Sequence, residues 1–310
     1  MPANTHYDLT FQDSRLKYLY ISYKKGSMRA AADELGVAAS SISRHIAKLE
    51  QELNIELVKQ GSHRIELTEA GKVVVEYFQT RLAHQEALIN KIQDLRGQQQ
   101  NTAIIAIGEG LLGAHAISTL HHFLLEHKEL RAEIISAPSY EVQRMIAQDE
   151  AHLAVIFSPS PDAQFSKLFS LPQPLCLIVD SNSPLAARSR LTLEDLSKEA
   201  LILPGPKFRV REILDLCCTE TGLKIEPAIV SNSLSVILDF VRTGVGSTLL
   251  PETPVLEEIK SGVFKTISID CPLMEHAEIQ IVTRRSRRLT QVTQALAMTL
   301  AKALRTAQSR

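Results

Sequence analysis

Between residues 26 and 57, apolar positions recur with a helical period twice, on either side of a tight turn. The first pattern, Ser27 to Leu35, opens on a serine that can accept from the free N–H groups of a first helical turn. Ala30, Ala31 and Ala32 favour helix and let a second helix approach closely. Gly36 supplies the stop, because it takes a left-handed C-cap without a Cβ penalty. The second pattern begins near Ser40 and lines up Ile42, Ile46, Leu49 and Leu53 on one face. Ser40, Ser41, Arg44, Ala47 and Lys48 take the other. A buried face backed by small, hydroxyl and cationic residues suits a helix lying in a DNA major groove. A plain helical hairpin with a solvated outer face has the same pattern.

The flanks extend this picture. Residues 1–12 read as a loose extension, followed by a helix with Leu16, Leu19, Tyr20 and Tyr23 on one face and Lys24-Lys25-Gly26 at its end. After the helix pair, residues 56–59 and 64–68 read as two short strands around the polar tip Gln60-Gly61-Ser62-His63, with Lys59, His63 and Arg64 at or beside it. A long helix runs from Thr68 to about Arg96, with Val74, Phe78, Leu88, Ile92 and Leu95 near a heptad seam and Arg81 and Gln85 filling positions between them. That seam predicts dimerisation; packing on its own chain is the alternative. Residues 97–102 are free of apolar side chains and read as a linker.

From Ala103 the texture changes to alternating strands and helices, an α/β pattern. Strands at 103–107, 132–136 and 153–157, with helices at 114–127 and from Ser139 (as cap) to 148, predict a doubly wound βαβαβ unit. Further strands at 175–180, 200–204, 228–231, 264–269 and 279–283, with helices at 209–221, 235–242 and 289–305, predict a second lobe and a chain that returns to the first.

Composition narrows the class. The chain has 310 residues, 45% apolar and 22% charged, enough for two or three domains with a core. No apolar run approaches the ~18–20 residues needed to span a bilayer. The start lacks a cationic and apolar leader, so the sequence predicts a cytoplasmic protein. Cys176, Cys217, Cys218 and Cys271 form no CxxC pair and read as reduced thiols, with a redox pair as the alternative. Net charge is −1, yet residues 15–65 carry nine Lys and Arg against five Asp and Glu. That local excess favours phosphate contact near the helix pair.

Gly108-Glu109-Gly110-Leu111-Leu112-Gly113 is a literal GxGxxG between a strand and a helix. A dinucleotide fold would place an acid about 20 residues on, where Ser136-Ala137-Pro138 stands, and Glu109 would repel a pyrophosphate. An oxidoreductase is therefore the rival from another class, and a solute-binding protein with an added helical domain is a third reading. There is no GxSxG, HExxH or paired-carboxylate motif. His115, His121, His122 and His127 form no recognised metal pattern, so neither metal nor cofactor is expected. Arg284, Arg285, Arg287 and Arg288 read as solvated surface first, and as a dimer or DNA contact second. Ligands in open α/β sheets bind beyond the carboxyl ends of strands. That rule selects Gly110, Leu111, Ser139, Phe208, Arg209, Asn232 and Ser233 as a small-anion site, with Thr248, which ends a Gly-rich turn, added to it, although Ser and Asn there also act as helix caps.

The assembled order resembles the LysR-type transcriptional regulators over essentially the whole chain. The motifs are Gly26-Ser27, Ala31-Ala32-Asp33-Glu34-Leu35, Ser43-Arg44-His45-Ile46, Leu49-Glu50-Gln51-Glu52-Leu53 and Leu67-Thr68-Glu69-Ala70-Gly71. Ser183-Pro184-Leu185-Ala186 and Arg242-Thr243-Gly244-Val245-Gly246, followed by Leu249-Leu250-Pro251, extend the match. The resemblance implies a winged helix-turn-helix over 12–70, a dimerising linker helix over 71–97 and a periplasmic-binding-protein-like effector domain over 103–310. That domain would divide into one subdomain of 103–172 with 273–310 and another of 173–272. It implies a non-enzymatic regulator, a homodimer or homotetramer. Its partners would be a roughly palindromic DNA operator and a small effector, an anionic one fitting the cleft residues. Arg29, Ser40, Ser41, Ser43, Arg44, Lys48, His63 and Arg64 are the expected DNA contacts. The chain departs from the family's usual pattern at four places. Ala39-Ser40 replaces Gln-Pro, Leu57-Val58-Lys59-Gln60 replaces Leu-Phe-x-Arg, His152 replaces an Asp, and Ser183 replaces a His.

Overall fold

The computed structural model describes residues 12–59, 64–95, 101–111, 114–157, 164–285 and 287–308. They fall into two compact units, 1–89 and 90–310.

In the first unit, α1 (Asp13–Lys25), α2 (Met28–Leu35) and α3 (Ala39–Leu53) form a three-helix core. Ser27 Oγ accepts from the Ala30 N–H at 3.1 Å, and Gly36 ends α2 at φ 65°. Leu16, Leu19, Tyr20, Ala31, Ala32, Ile42, Ile46 and Leu49 are buried together. Each buried Leu or Ile stabilises by roughly 1.5–3 kcal/mol. Arg15 is buried too, its guanidinium paired with Glu52 of α3.

The wing is minimal. One antiparallel bridge joins Val58 to Leu67, and the Lys59 N–H donates to the Glu66 carbonyl at 2.8 Å. Glu50 Oε1 accepts from the N–H groups of Leu57 (2.7 Å) and Val58 (3.1 Å), fastening α3 to the wing. Residues 60–63, with His63, lie outside the described residues, as do 1–11. The motif Leu67-Thr68-Glu69-Ala70-Gly71 then has a local meaning. Leu67 is buried, and Thr68 Oγ1 accepts from the Gly71 N–H (3.0 Å) and donates to the Glu56 carbonyl (2.7 Å). Gly71 leaves room for the Leu57 carbonyl, which would lie 2.0 Å from a Cβ there.

The long helix α4 (Glu69–Leu95) starts inside this core. Val75 and Phe78 are buried with Tyr20, whose ring centroid is 5.5 Å from that of Phe78. Arg81 pairs with Asp13 and holds that carboxyl below its ordinary range. The heptad seam of the sequence is therefore split: Phe78 and Arg81 serve their own chain, while Val73, Tyr77, Leu88, Ile89 and Ile92 stay exposed.

The second unit holds two lobes. Strands β1 (Asn101–Gly108), β2 (Leu130–Ala137) and β3 (Leu153–Phe157) alternate with helices α5 (Ala114–Glu126) and α6 (Ser139–Ala147). β4 (Phe165–Pro172) leads out of this lobe to β5 (Cys176–Asp180), β6 (Arg190–Thr192), α7 (Leu193–Leu196), β7 (Ile202–Leu203) and α8 (Arg209–Thr221). Then come β8 (Ile229–Val230), α9 (Leu234–Arg242), β9 (Thr248–Leu250), α10 (Leu256–Lys260), β10 (Phe264–Asp270) and α11 (Pro272–Glu275). β11 (Glu278–Arg284) and α12 (Gln291–Gln308) close the chain. The first sheet runs β2-β1-β3-β11-β4, the second β6-β10-β5-β9, and β7 pairs with β8 in parallel. β1, β2 and β3 are parallel and β11 is antiparallel, so the return strand completes the first sheet.

Several sequence expectations need correction. β4 and β6 carried no clear pattern, because both mix polar and apolar residues at partly exposed positions. Asn101 and Thr102 belong to β1 rather than to a linker, since they pair with Leu130 and Arg131. Ser139 is the first residue of α6 rather than its cap; Pro138 holds the cap position. Arg284 is not solvated: it is buried beside Asp149 (3.4 Å), which also meets Arg287 at 2.8 Å. His152 accepts the Ile104 N–H on Nδ1 at 3.0 Å, so the residue that replaces the family's Asp still has a bonding role.

All four cysteines are free, and the Cys217 and Cys271 sulfurs lie 2.9 Å apart in the core. Burial pushes the Cys176 thiol up to about 11, and raises Cys217 and Cys218 as well. Thiolate is the reactive form. A maleimide at pH 8 should therefore label the half-buried Cys218 first, and Cys176, Cys217 and Cys271 only on unfolding. Equal labelling of all four in the native chain, read by mass spectrometry, would contradict this packing.

Candidate DNA-reading face and interlobe seam

Helix α3 presents two chemically distinct sides. Ile42, Ile46 and Leu49 are buried at 2% exposure or less. Ser40, Ser43, Arg44, Ala47 and Lys48 are exposed, at the spacing i, i+3, i+4, i+7 and i+8 that defines one strip of a helix. Ser41 is half-buried and flanks this strip rather than belonging to it. The Arg44 Nε donates to the Ser40 carbonyl at 3.3 Å, which lays the guanidinium back along the first turn. Arg29 is exposed on α2. Arg64 is exposed where the wing meets the turn after α1, and the Ile65 N–H donates to the Gly26 carbonyl at 2.9 Å. Arg64 packs over Gly26, its Nε 3.4 Å from where a Cβ would stand. Ala38 and Ala39 are also exposed at the amino end of α3; Ala39, with Ser40, stands where the family's Gln-Pro is usual, and Ala38 was not singled out from sequence. A methyl group there can meet the C5-methyl of thymine.

In the second unit the carboxyl ends of β1 and β2 meet those of β7 and β8 across a seam. Gly108 is in register with Ala137, and Leu203 with Val230, so each pair of strands delivers two adjacent loops. The Leu234 N–H, at the start of α9, donates to Glu109 Oε1 at 3.3 Å. Lys207 Nζ sits 5.5 Å from the Tyr140 ring centroid. These two contacts cross between lobes, and neither Lys207 nor Tyr140 was expected from the sequence. Ser139, Phe208 and Ser233 are half-buried and Asn232 is exposed, each at a loop that reaches the seam. Arg209 opens α8, with Nη1 3.1 Å from Glu212 Oε2 and a side chain only 14% exposed. Leu111 is buried, its side chain against Gly108. Thr248 departs from expectation. It opens β9, opposite the strand's carboxyl end, and is fully buried with no hydrogen-bond partner for Oγ1. That places it in the core rather than among the loops.

The GxGxxG reading fails on space. A Cβ on Gly110 would stand 2.6 Å from Leu234 Cδ2 and 3.4 Å from Pro254, so the opposite lobe occupies the approach a pyrophosphate would need. Gly110, at φ 78°, serves interlobe packing. Among the described residues no group of three or more His, Cys, Asp and Glu is placed to hold a metal ion, and no helix is long and apolar enough to cross a membrane.

A helix-turn-helix with a cationic outer strip, joined to a two-lobed α/β unit, defines a DNA-binding regulator with a ligand-binding domain. Residues 14–72 match the family described as bacterial regulatory helix-turn-helix protein, lysR family, and residues 96–305 match the LysR substrate binding domain. The chain belongs to the LysR family of transcriptional regulators. It is 24% identical over 272 residues to a probable RuBisCO transcriptional regulator of Trichormus variabilis, covering 85% of this chain and 80% of that one. It is 25% identical over 246 residues to the HTH-type transcriptional regulator BbuR of Bordetella bronchiseptica, covering 77% and 74%. A full-length OxyR variant from Pseudomonas aeruginosa shares the fold, with a TM-score of 0.61, 20% identity and 95% of each chain covered. Full-length BenM does so with a TM-score of 0.54, 19% identity, and 96% and 97% covered. As a regulator of this family the protein binds DNA and a small-molecule effector, assembles into oligomers and is not an enzyme.

Proposed function

We propose that this regulator reads a roughly palindromic operator in the cytoplasm as a homodimer or homotetramer, with α3 in the major groove. The observation that carries the reading is the exposed strip Ser40, Ser43, Arg44, Ala47 and Lys48 over a fully buried apolar face. Ser41 beside the strip, the exposed Arg29 and Arg64, and His63, which lies outside the described residues, are proposed to add contacts to the DNA. The exposed Val73, Tyr77, Leu88, Ile89 and Ile92 of α4 are the surface for a second copy. Two recognition helices on one face of the duplex bind half-sites about one helical turn apart. Selection of bound duplexes from a random pool tests this. Enrichment of paired inverted half-sites is the expected result, and a pool that stays random after several rounds would refute it.

The effector is assigned to the loops of the interlobe seam, with Arg209 as the anion contact and Gly110, Leu111, Ser139, Phe208, Asn232 and Ser233 around it. Thr248, fully buried, lies outside that set. A ligand saturating at 100 times its Kd stabilises by about 2.7 kcal/mol, which raises the melting temperature by several degrees. In a thermal-shift panel of small carboxylates, at least one should stabilise the wild type, and Arg209→Lys or Arg209→Ala should lose most of that shift. A shift unchanged in both variants would remove Arg209 from the site.

A further inference from the structure

The arginine run at 284–288 does not spread over the surface. Arg284 and Arg287 turn inward to Asp149, and Arg285, Arg288 and the Asp149-paired Arg287 line a cavity of about 800 Å³. From α12 the lining also takes Lys302 and Arg305. Its apolar part is Leu168 and Phe169 of β4 with Leu289, Ala297, Met298 and Ala301. The Arg305 guanidinium lies 4.8 Å from the Phe169 ring centroid, so one cation already lies over the apolar lining.

We propose that this groove is a second binding site, for a small organic anion with an apolar body and a carboxylate or sulfonate head. Three observations converge on that class. Five cationic side chains line the cavity, and among the described residues no acidic one does. Arginine presents a planar fork that matches a carboxylate in two hydrogen bonds. The volume lies in the range of small-molecule sites, and apolar walls with a few convergent charges are their usual composition. Met298 is 74% exposed and Leu168 46%. An apolar body seated there would cover both. The site is separate from the interlobe seam: it is built from β4, β11 and α12, and none of its residues belongs to the seam set. A DNA backbone is the poorer fit, because phosphates are met by protruding cations and gain nothing from an apolar lining.

The probe is 8-anilinonaphthalene-1-sulfonate, an aromatic sulfonate whose fluorescence rises in apolar surroundings, titrated into the full chain. Saturable binding displaced by octanoate and not by octanol is expected. Charge-assisted hydrogen bonds are stronger than neutral ones and need the cation in place. Arg288→Glu with Lys302→Glu, both at exposed positions, should therefore weaken binding about tenfold or more. Met298→Glu should weaken it in the same direction, and the unfolding midpoint of each variant serves as the fold control. Lys224→Glu, an exposed position outside the cavity lining, should leave the affinity unchanged. Equal affinity in the charge-reversed variants, a loss on Lys224→Glu as large as theirs, or competition by octanol as strong as by octanoate would each overturn the proposal. Displacement by a short DNA duplex as effective as by octanoate would also overturn it, and would make the groove a phosphate contact.

Discussion

Gly71→Ala is expected to destabilise the DNA-binding unit by about 3 kcal/mol and to abolish tight DNA binding with it. The new Cβ would stand 2.0 Å from the Leu57 carbonyl oxygen, which is backbone and cannot swing away as a side chain could. That carbonyl also accepts the Thr68 N–H at 3.0 Å. Moving it breaks the wing away from α4 and loosens the Glu50 bonds to Leu57 and Val58. Overpacking in a tight site costs about 1–3 kcal/mol, and a clash with backbone belongs at the upper end. Gly36→Ala is the contrasting case. Nothing lies within 4 Å of its Cβ position, so only the left-handed φ of 65° is penalised, by roughly 1–2 kcal/mol. Urea unfolding of the two variants should separate them clearly. Equal midpoints for Gly71→Ala and wild type would show that the close approach does not hold the wing.

Arg44→Ala is expected to weaken specific operator binding about 5- to 150-fold, the range that follows from a base contact worth about 1–3 kcal/mol. Its guanidinium is exposed on the strip and already steered along the first turn by the Ser40 carbonyl. Lys48→Ala, one turn further on, should behave differently. Removing a cation that meets only phosphate weakens all sequences alike and lowers the salt dependence by about one ion. Gel-shift titrations of operator and scrambled duplex at two salt concentrations distinguish the outcomes. If Arg44→Ala binds its operator as tightly as wild type, the strip is not the reading face.

The helix pair was legible in the sequence because its information is local: a cap at Ser27, a stop at Gly36 and a period carried by Ile42, Ile46 and Leu49 within a few turns. The lobes were legible for the same reason, as buried runs such as Leu153–Phe157 announce parallel strands. What escaped depends on distant partners. Arg15 looks like a surface cation until Glu52, 37 residues away, lies against it. The Arg284 run looks solvated until Asp149 arrives from the far end of α6. Lys207 and Tyr140 meet only once two lobes are assembled, and no spacing in the chain encodes that. Thr248 is of the same kind: it ends a Gly-rich turn and opens β9, and only the packing of distant segments around it buries it completely.

The burial of Phe78 against Tyr20, with Arg81 clamped to Asp13, also makes the early turns of α4 a rigid handle on the reading head. A helix of 27 residues is ~40 Å long. Its first turns belong to the helix-turn-helix: what turns them turns α1 with them.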